Sequence, residues 1–161
     1  MHAHTDLKIE ELDGETCRAL LATADIGRVA WSQLHDGIAQ VSMLPVNFAM
    51  HEGDVVFCTG AGGKLGAVNS GRRISFEADD IEPAMSVGWS VVATGYATEV
   101  AGAERHLLQD LVQPWDRSPK PHVVRLHIDS LTGRRIRPHP SAVRTVRIGP
   151  QNTAPSERTA T

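Results

Sequence analysis

The chain has 161 residues, 41% of them hydrophobic, which suits one compact domain with a single core and leaves little room for a second. A net charge of -3, with both signs scattered along the chain, gives no basic field for nucleic acid or an anionic membrane, so neither is expected as a partner. No basic stretch leads into an apolar core at the N-terminus, and no window approaches the roughly 20 apolar residues of a membrane span, so a cytoplasmic protein is expected.

Leu12-Asp13-Gly14-Glu15-Thr16-Cys17 reads as a helix start, with Asp13 as the cap and Leu12 placed to staple against Cys17; the helix is predicted to run to about Thr23. Gly27 ends that pattern. Arg28 to Leu34, with Val29, Trp31 and Leu34 among polar residues, reads as a strand, and His35-Asp36-Gly37 as a hairpin turn. Ile38 to Met50 carries Ala39, Val41 and Met43 at alternate positions, and Pro45 within it predicts a bend or an edge. A turn at His51-Glu52-Gly53-Asp54 leads into the short apolar strand Val55 to Thr59, which delivers the glycine-rich run Gly60-Ala61-Gly62-Gly63-Lys64. One or two helical turns to Asn69 follow. Ile74 and Phe76 mark the next strand, and Trp89 to Val100 a longer one. Ala103 to Val112 is the most amphipathic helix, with Leu107, Leu108, Leu111 and Val112 on one face and Pro114 as its stop. Val124, Leu126 and Ile128 form the last alternating strand. From Pro150 onward the chain is polar and aperiodic, so residues 149–161 are expected to be a disordered tail to a domain spanning 5–148. Hairpin-linked strands without a βαβ unit favour an antiparallel barrel over a parallel sheet.

Cys17 and Cys58 have no CxxC partner and no histidine at metal-ligand spacing, so they read as reduced core residues. His122 and His127 are five apart and face opposite sides of a regular strand, which argues against a shared metal. No metal is expected.

Three segments bear on chemistry. In Thr59-Gly60-Ala61-Gly62-Gly63-Lys64, glycines permit close approach of backbone amides to an anion, and the lysine and the hydroxyl add donors. The hexapeptide fits a phosphate cradle and equally a flexible surface turn. It is not a P-loop, because Cys58 stands five before Gly63 and Leu65 follows Lys64. In Leu44-Pro45-Val46-Asn47-Phe48 the proline loosens strand pairing, and Asn47 could offer a donor and an acceptor to a heteroaromatic ring. Gly88-Trp89-Ser90-Val91-Val92 places an aromatic beside a hydroxyl at a strand entrance.

Taken in order with Gly27-Arg28-Val29-Ala30, Phe76-Glu77-Ala78-Asp79 and Thr132-Gly133-Arg134-Arg135-Ile136, these segments resemble the actinobacterial, nitroimidazole-resistance-like branch of the pyridoxamine 5′-phosphate oxidase-like split barrels, over roughly Leu7 to Arg137. That resemblance implies a mainly β, antiparallel split barrel of the FMN-binding type. It also implies a homodimer with flavin sites at its interface and hydride transfer to or from a small molecule. Lys64 and Thr59, with Gly60 and Gly63, would hold the FMN phosphate; Pro45, Val46 and Asn47 would run beside the isoalloxazine; Trp89 and Ser90 would reach the cofactor bound mainly by the other subunit. The chain departs from true pyridoxamine phosphate oxidases in lacking an arginine-rich FMN strand and their arginine-containing C-terminus. Arg125-Leu126-His127 is similar to their substrate-phosphate pair, but alternation on a strand places Arg and His on one face by chance often enough to explain it. Within the same superfamily a deazaflavin coenzyme is the alternative, with Arg72, Arg73, Arg134, Arg135 or Arg137 as counter-charges. A non-enzymatic flavin carrier or redox sensor is the alternative of a different class.

Overall fold

The computed structural model describes residues 7–115 and 118–138. Seven strands and three helices follow in the order β1 (Leu7–Leu12), α1 (Gly14–Leu21), β2 (Ile26–His35), β3 (Ile38–His51), β4 (Asp54–Thr59), α2 (Gly63–Asn69), β5 (Arg73–Glu82), β6 (Val87–Val100), α3 (Gly102–Leu111) and β7 (His122–Pro138). All strand pairings are antiparallel, in the order β1-β7-β4-β3-β2-β5-β6, and a further β6–β7 pairing closes the ring. The expected antiparallel split barrel is therefore the fold.

Closure depends on the 17-residue β7. Its first half lies between β4 and β6, and its second half between β6 and β1. A bulge at Thr94/Gly95 lets β6 follow it around, and Gly95 rests so close to the His127 carbonyl that a Cβ would have no room. Gly27 is similarly constrained, with the Phe76 ring in the space a side chain would take.

The barrel interior is filled by Val29, Trp31, Phe48, Phe57, Phe76, Val91 and Leu126, with Phe48 and Phe76 packed edge to face at 4.7 Å. Asp13 caps α1 as expected, accepting from the Thr16 N–H at 2.7 Å, and Cys17 and Leu21 bury the helix against this core. The helix ends at Leu21, two residues short of the sequence expectation.

A second, smaller core lies outside the barrel wall, where α3 covers Val56, Cys58, Val100 and Val123 with Leu108 and Val112. Because both faces of β4 are covered, its residues from Val55 to Thr59 are all buried, which explains its unbroken apolar run. Both cysteines are buried and unpaired. The amphipathic face of α3 is narrower than expected: Leu107 is 59% exposed and Leu111 is also exposed, because only the 108/112 stripe meets the sheet. On β3 the alternating Ala39, Val41 and Met43 point outward, and the inward residues are Val46 and Phe48. The strand β1 and the length of β7 had no counterpart in the alternation pattern. The tail expected at 149–161 lies outside the described residues. Among the described residues no helix is long and apolar enough to cross a membrane.

Candidate functional site

Strands β3 and β4 pair only from Phe48/Phe57 to His51/Asp54. Continuing that register would set Asn47 opposite Cys58 and Val46 opposite Thr59, but the strands part there. Pro45, whose ring denies the strand an N–H, sits on the parted length while its other side still faces Arg28 of β2. The edge predicted at Pro45 is this local one. The gap holds a cavity of about 340 Å³ lined by Ile26, Pro45, Val46, Asn47, Cys58, Lys64, Val112, Pro114, Trp115 and Lys120. That volume is within the roughly 300–1,000 Å³ of small-ligand sites.

Four of the residues singled out in the sequence, Pro45, Val46, Asn47 and Lys64, therefore meet in one cavity although they come from two different elements. Lys64 lies in the first turn of α2, and α2 begins after Gly62, whose φ of 141° suits glycine. Gly63 brings the turn against Trp31, where an added Cβ would meet the indole at 3.3 Å. Burial, then the nearby positive charge of Lys120, holds the Lys64 ammonium below its ordinary pKa. Among the described residues Lys64 has no carboxylate partner.

The other predicted residues take different places. Thr59 is buried, and its hydroxyl donates to the Gly60 carbonyl at 3.1 Å, so it braces the loop rather than lining the cavity. Gly60 lies under the Pro119 carbonyl. Trp89 and Ser90, as neighbours on one strand, face opposite ways. Trp89 is buried and lines a recess of about 220 Å³ that shares Ile26 and Trp115 with the larger cavity. Ser90 instead opens onto a groove of the outer wall, with Arg134, Thr132 and Glu11.

Asn47 is engaged in this structure: its Nδ2 donates to the Asp25 carbonyl at 3.3 Å, and its Oδ1 accepts from the Trp115 N–H at 2.9 Å. Each group keeps one further site, since a carboxamide has two donors and two lone pairs. Trp115 and Lys120, on the segment between α3 and β7, were not foreseen. A lone Trp after a helix-stopping proline carries no local signal of what it will face.

Arg125 and His127 are spent elsewhere. Arg125 Nε donates to Asp54 Oδ2 at 2.9 Å, His127 Nδ1 lies 3.0 Å from the same oxygen, and the Ile128 N–H reaches Asp54 Oδ1 at 3.2 Å. Burial pushes the Asp54 carboxyl up, but the Ile128, Arg125 and His127 contacts outweigh it and hold the group below its ordinary pKa. His122 pairs with Glu99 at 2.6 Å, Arg73 with Asp129, and Arg137 with Glu10 at 2.8 Å. None of these basic groups lines the Lys64 cavity.

An apolar slot ending in lysines, opened by parting two strands of a closed antiparallel barrel, is the arrangement of a split-barrel protein. The model of the family described as pyridoxamine 5′-phosphate oxidase matches residues 13–135, and the chain belongs to that family. An uncharacterized protein of Mycobacterium tuberculosis is 34% identical over 135 residues, covering 80% of this chain and 86% of its own. The solved FAD binding protein of Mycobacterium smegmatis is 28% identical, covers 78% of this chain and 96% of its own, and has a TM-score of 0.62. A FAD-binding protein of Mesorhizobium loti shares the fold at 20% identity, with 81% and 98% coverage and a TM-score of 0.67.

Proposed function

We propose that this protein is a flavin-dependent oxidoreductase that binds FMN in the cleft between β3 and β4 and passes hydride to or from a small molecule. The observation that carries the reading is Lys64: a partly buried cation with no carboxylate partner among the described residues, set in an otherwise largely apolar cavity. An anionic phosphate there would supply the missing charge. Val46, Cys58, Ile26 and Val112 give the apolar surface that a fused ring requires, and Pro45 and Asn47 border it.

A bound flavin supplies hydride acceptance and donation, which is chemistry no side chain here could perform. The chain's own part is to anchor the phosphate through Lys64, to border the ring with Pro45 to Asn47, and to exclude water with Val46 and Val112. Thr59 would join the phosphate only by turning its hydroxyl from Gly60. No nucleophile is needed.

Two observations favour FAD as a second reading. Lys120 lines the same cavity, which places a second basic side chain beside Lys64, and two similar structures are FAD-binding proteins. The arginines that would serve a deazaflavin tail have less to recommend them, since none lines this cavity.

The same reading includes a homodimer. The outer wall formed by β2, β3, β5 and β6 carries exposed Met43, Val92 and Tyr96 around the Arg28–Glu77 pair, as a self-associating face would. Ser90 opens on that wall, where a partner's cofactor could reach it.

Absorbance and fluorescence titration of the purified chain with FMN and FAD, followed by anaerobic reduction and a turnover screen, tests the proposal. Stoichiometric binding with turnover supports it. Binding without turnover, but with a change in dimer geometry on reduction, replaces the enzyme by a carrier or sensor, and no binding of either flavin overturns the reading.

A further inference from the structure

Trp115 is 72% exposed, an unusual state for the most apolar-rich side chain, yet its backbone is tied down. Asn47 holds it from 68 residues away, accepting from the Trp115 N–H at 2.9 Å while donating to the Asp25 carbonyl at 3.3 Å. The carboxamide thus brackets three segments at the cavity rim: the start of β2, the parted length of β3 and the connection from α3 to β7. Pro114 limits the backbone just before Trp115. Trp115 lines both the 340 Å³ cavity of Lys64 and the 220 Å³ recess of Trp89, so it stands where the two adjoin.

We propose that Trp115 is the aromatic wall of the cofactor site, its indole packing on the ring system that lies along Pro45 to Asn47, and that Asn47 is the positioning residue that sets it there. This rests on the flavin reading above. An exposed indole gains by covering a fused ring, and a flat ring gains a second apolar face that the barrel wall alone does not give. It also gives Asn47 a purpose beyond a direct contact with the ring: its polar atoms fix the depth at which Trp115 stands.

The test uses the full chain with FMN and FAD as probes, comparing wild type with Trp115→Phe, Trp115→Ala, Asn47→Ala and Asn47→Asp. A stacked indole quenches flavin emission by electron transfer, and a phenyl ring does not. Trp115→Ala should weaken binding by about tenfold, in line with the loss of one aromatic stacking partner, and brighten the bound flavin. Trp115→Phe should recover much of the affinity while the emission stays bright. Asn47→Ala should brighten the bound flavin without touching the indole, and Asn47→Asp, which keeps the acceptor for the Trp115 N–H, should brighten it less. A merely structural asparagine would leave that emission unchanged. If wild type binds flavin and both Trp115 variants match it in affinity and emission, the inference is overturned while the flavin reading stands. If wild type binds neither flavin, the flavin reading itself fails and takes the inference with it.

Discussion

The two ends of β4 differ in whether the charge beside them is matched within the fold. At its first residue, Asp54 accepts from Arg125, His127 and the Ile128 amide, and Arg125 also reaches Glu52 at 3.0 Å, so the polar groups there are matched inside the protein. At its far end the strand parts from β3, and the chain runs into Lys64, which lies in an apolar cavity without a carboxylate among the described residues. Charge that the fold needs is answered within the fold. Charge without a carboxylate among the described residues, beside apolar walls, is what the proposed cofactor phosphate would answer.

The largest expected effect on stability comes from breaking the matched end. Asp54→Ala should cost about 2 kcal/mol in denaturant unfolding, because Arg125 and His127 lose a partly buried acceptor, while flavin affinity stays as in wild type. The Asp54 carboxyl is depressed in the fold, so its contribution is present above its unfolded pKa and lost as pH falls through the lower folded value. The gap between wild type and Asp54→Ala should therefore narrow in acid, below about pH 4.

Breaking the unmatched end should do the reverse. Lys64→Met should weaken FMN binding by roughly 10- to 100-fold, the loss of a charge-assisted phosphate contact of about 1.5–3 kcal/mol. The apo protein should be no less stable, since the fold holds the ammonium against its preference. The sign follows from linkage. The Lys64 pKa is lowered, so the unfolded chain binds more protons between the folded and unfolded values, and apo stability rises with pH across that window. Phosphate affinity should fall over the same rise, as Lys64 loses its charge, and this loss should be absent from Lys64→Met. Loss of stability in Lys64→Met comparable to that in Asp54→Ala would erase the distinction.

A smaller effect is expected on the outer wall. Val92→Glu should shift sedimentation toward the monomer and leave the barrel folded, because Val92 is 39% exposed on a strand that is paired on both sides. Unchanged sedimentation of a dimeric protein would remove β6 from the interface.

Much of this contrast was legible in the sequence because its signals are local. The apolar run Val55 to Cys58, the glycines before Lys64 and the proline in β3 each act on their own stretch of chain, and together they pointed to the strand, the loop and a bend or edge at Pro45. What was not legible depends on tertiary pairing. Asp54 meets Arg125 across 71 residues, and Asn47 meets Trp115 across 68. The alternation of Ala39, Val41 and Met43 identified a strand but could not say which face was inside, since one shift of register exchanges the two. Likewise Leu107/Leu111 and Leu108/Val112 look equivalent until the sheet selects the second pair.

The most direct measurement is a crystal structure of the protein grown with FMN. The phosphate should lie at Lys64, with the ring along Pro45, Val46 and Asn47 in the cleft between β3 and β4. FMN seated instead in the outer groove of Ser90 and Arg134, with the Lys64 cavity empty, would contradict the account.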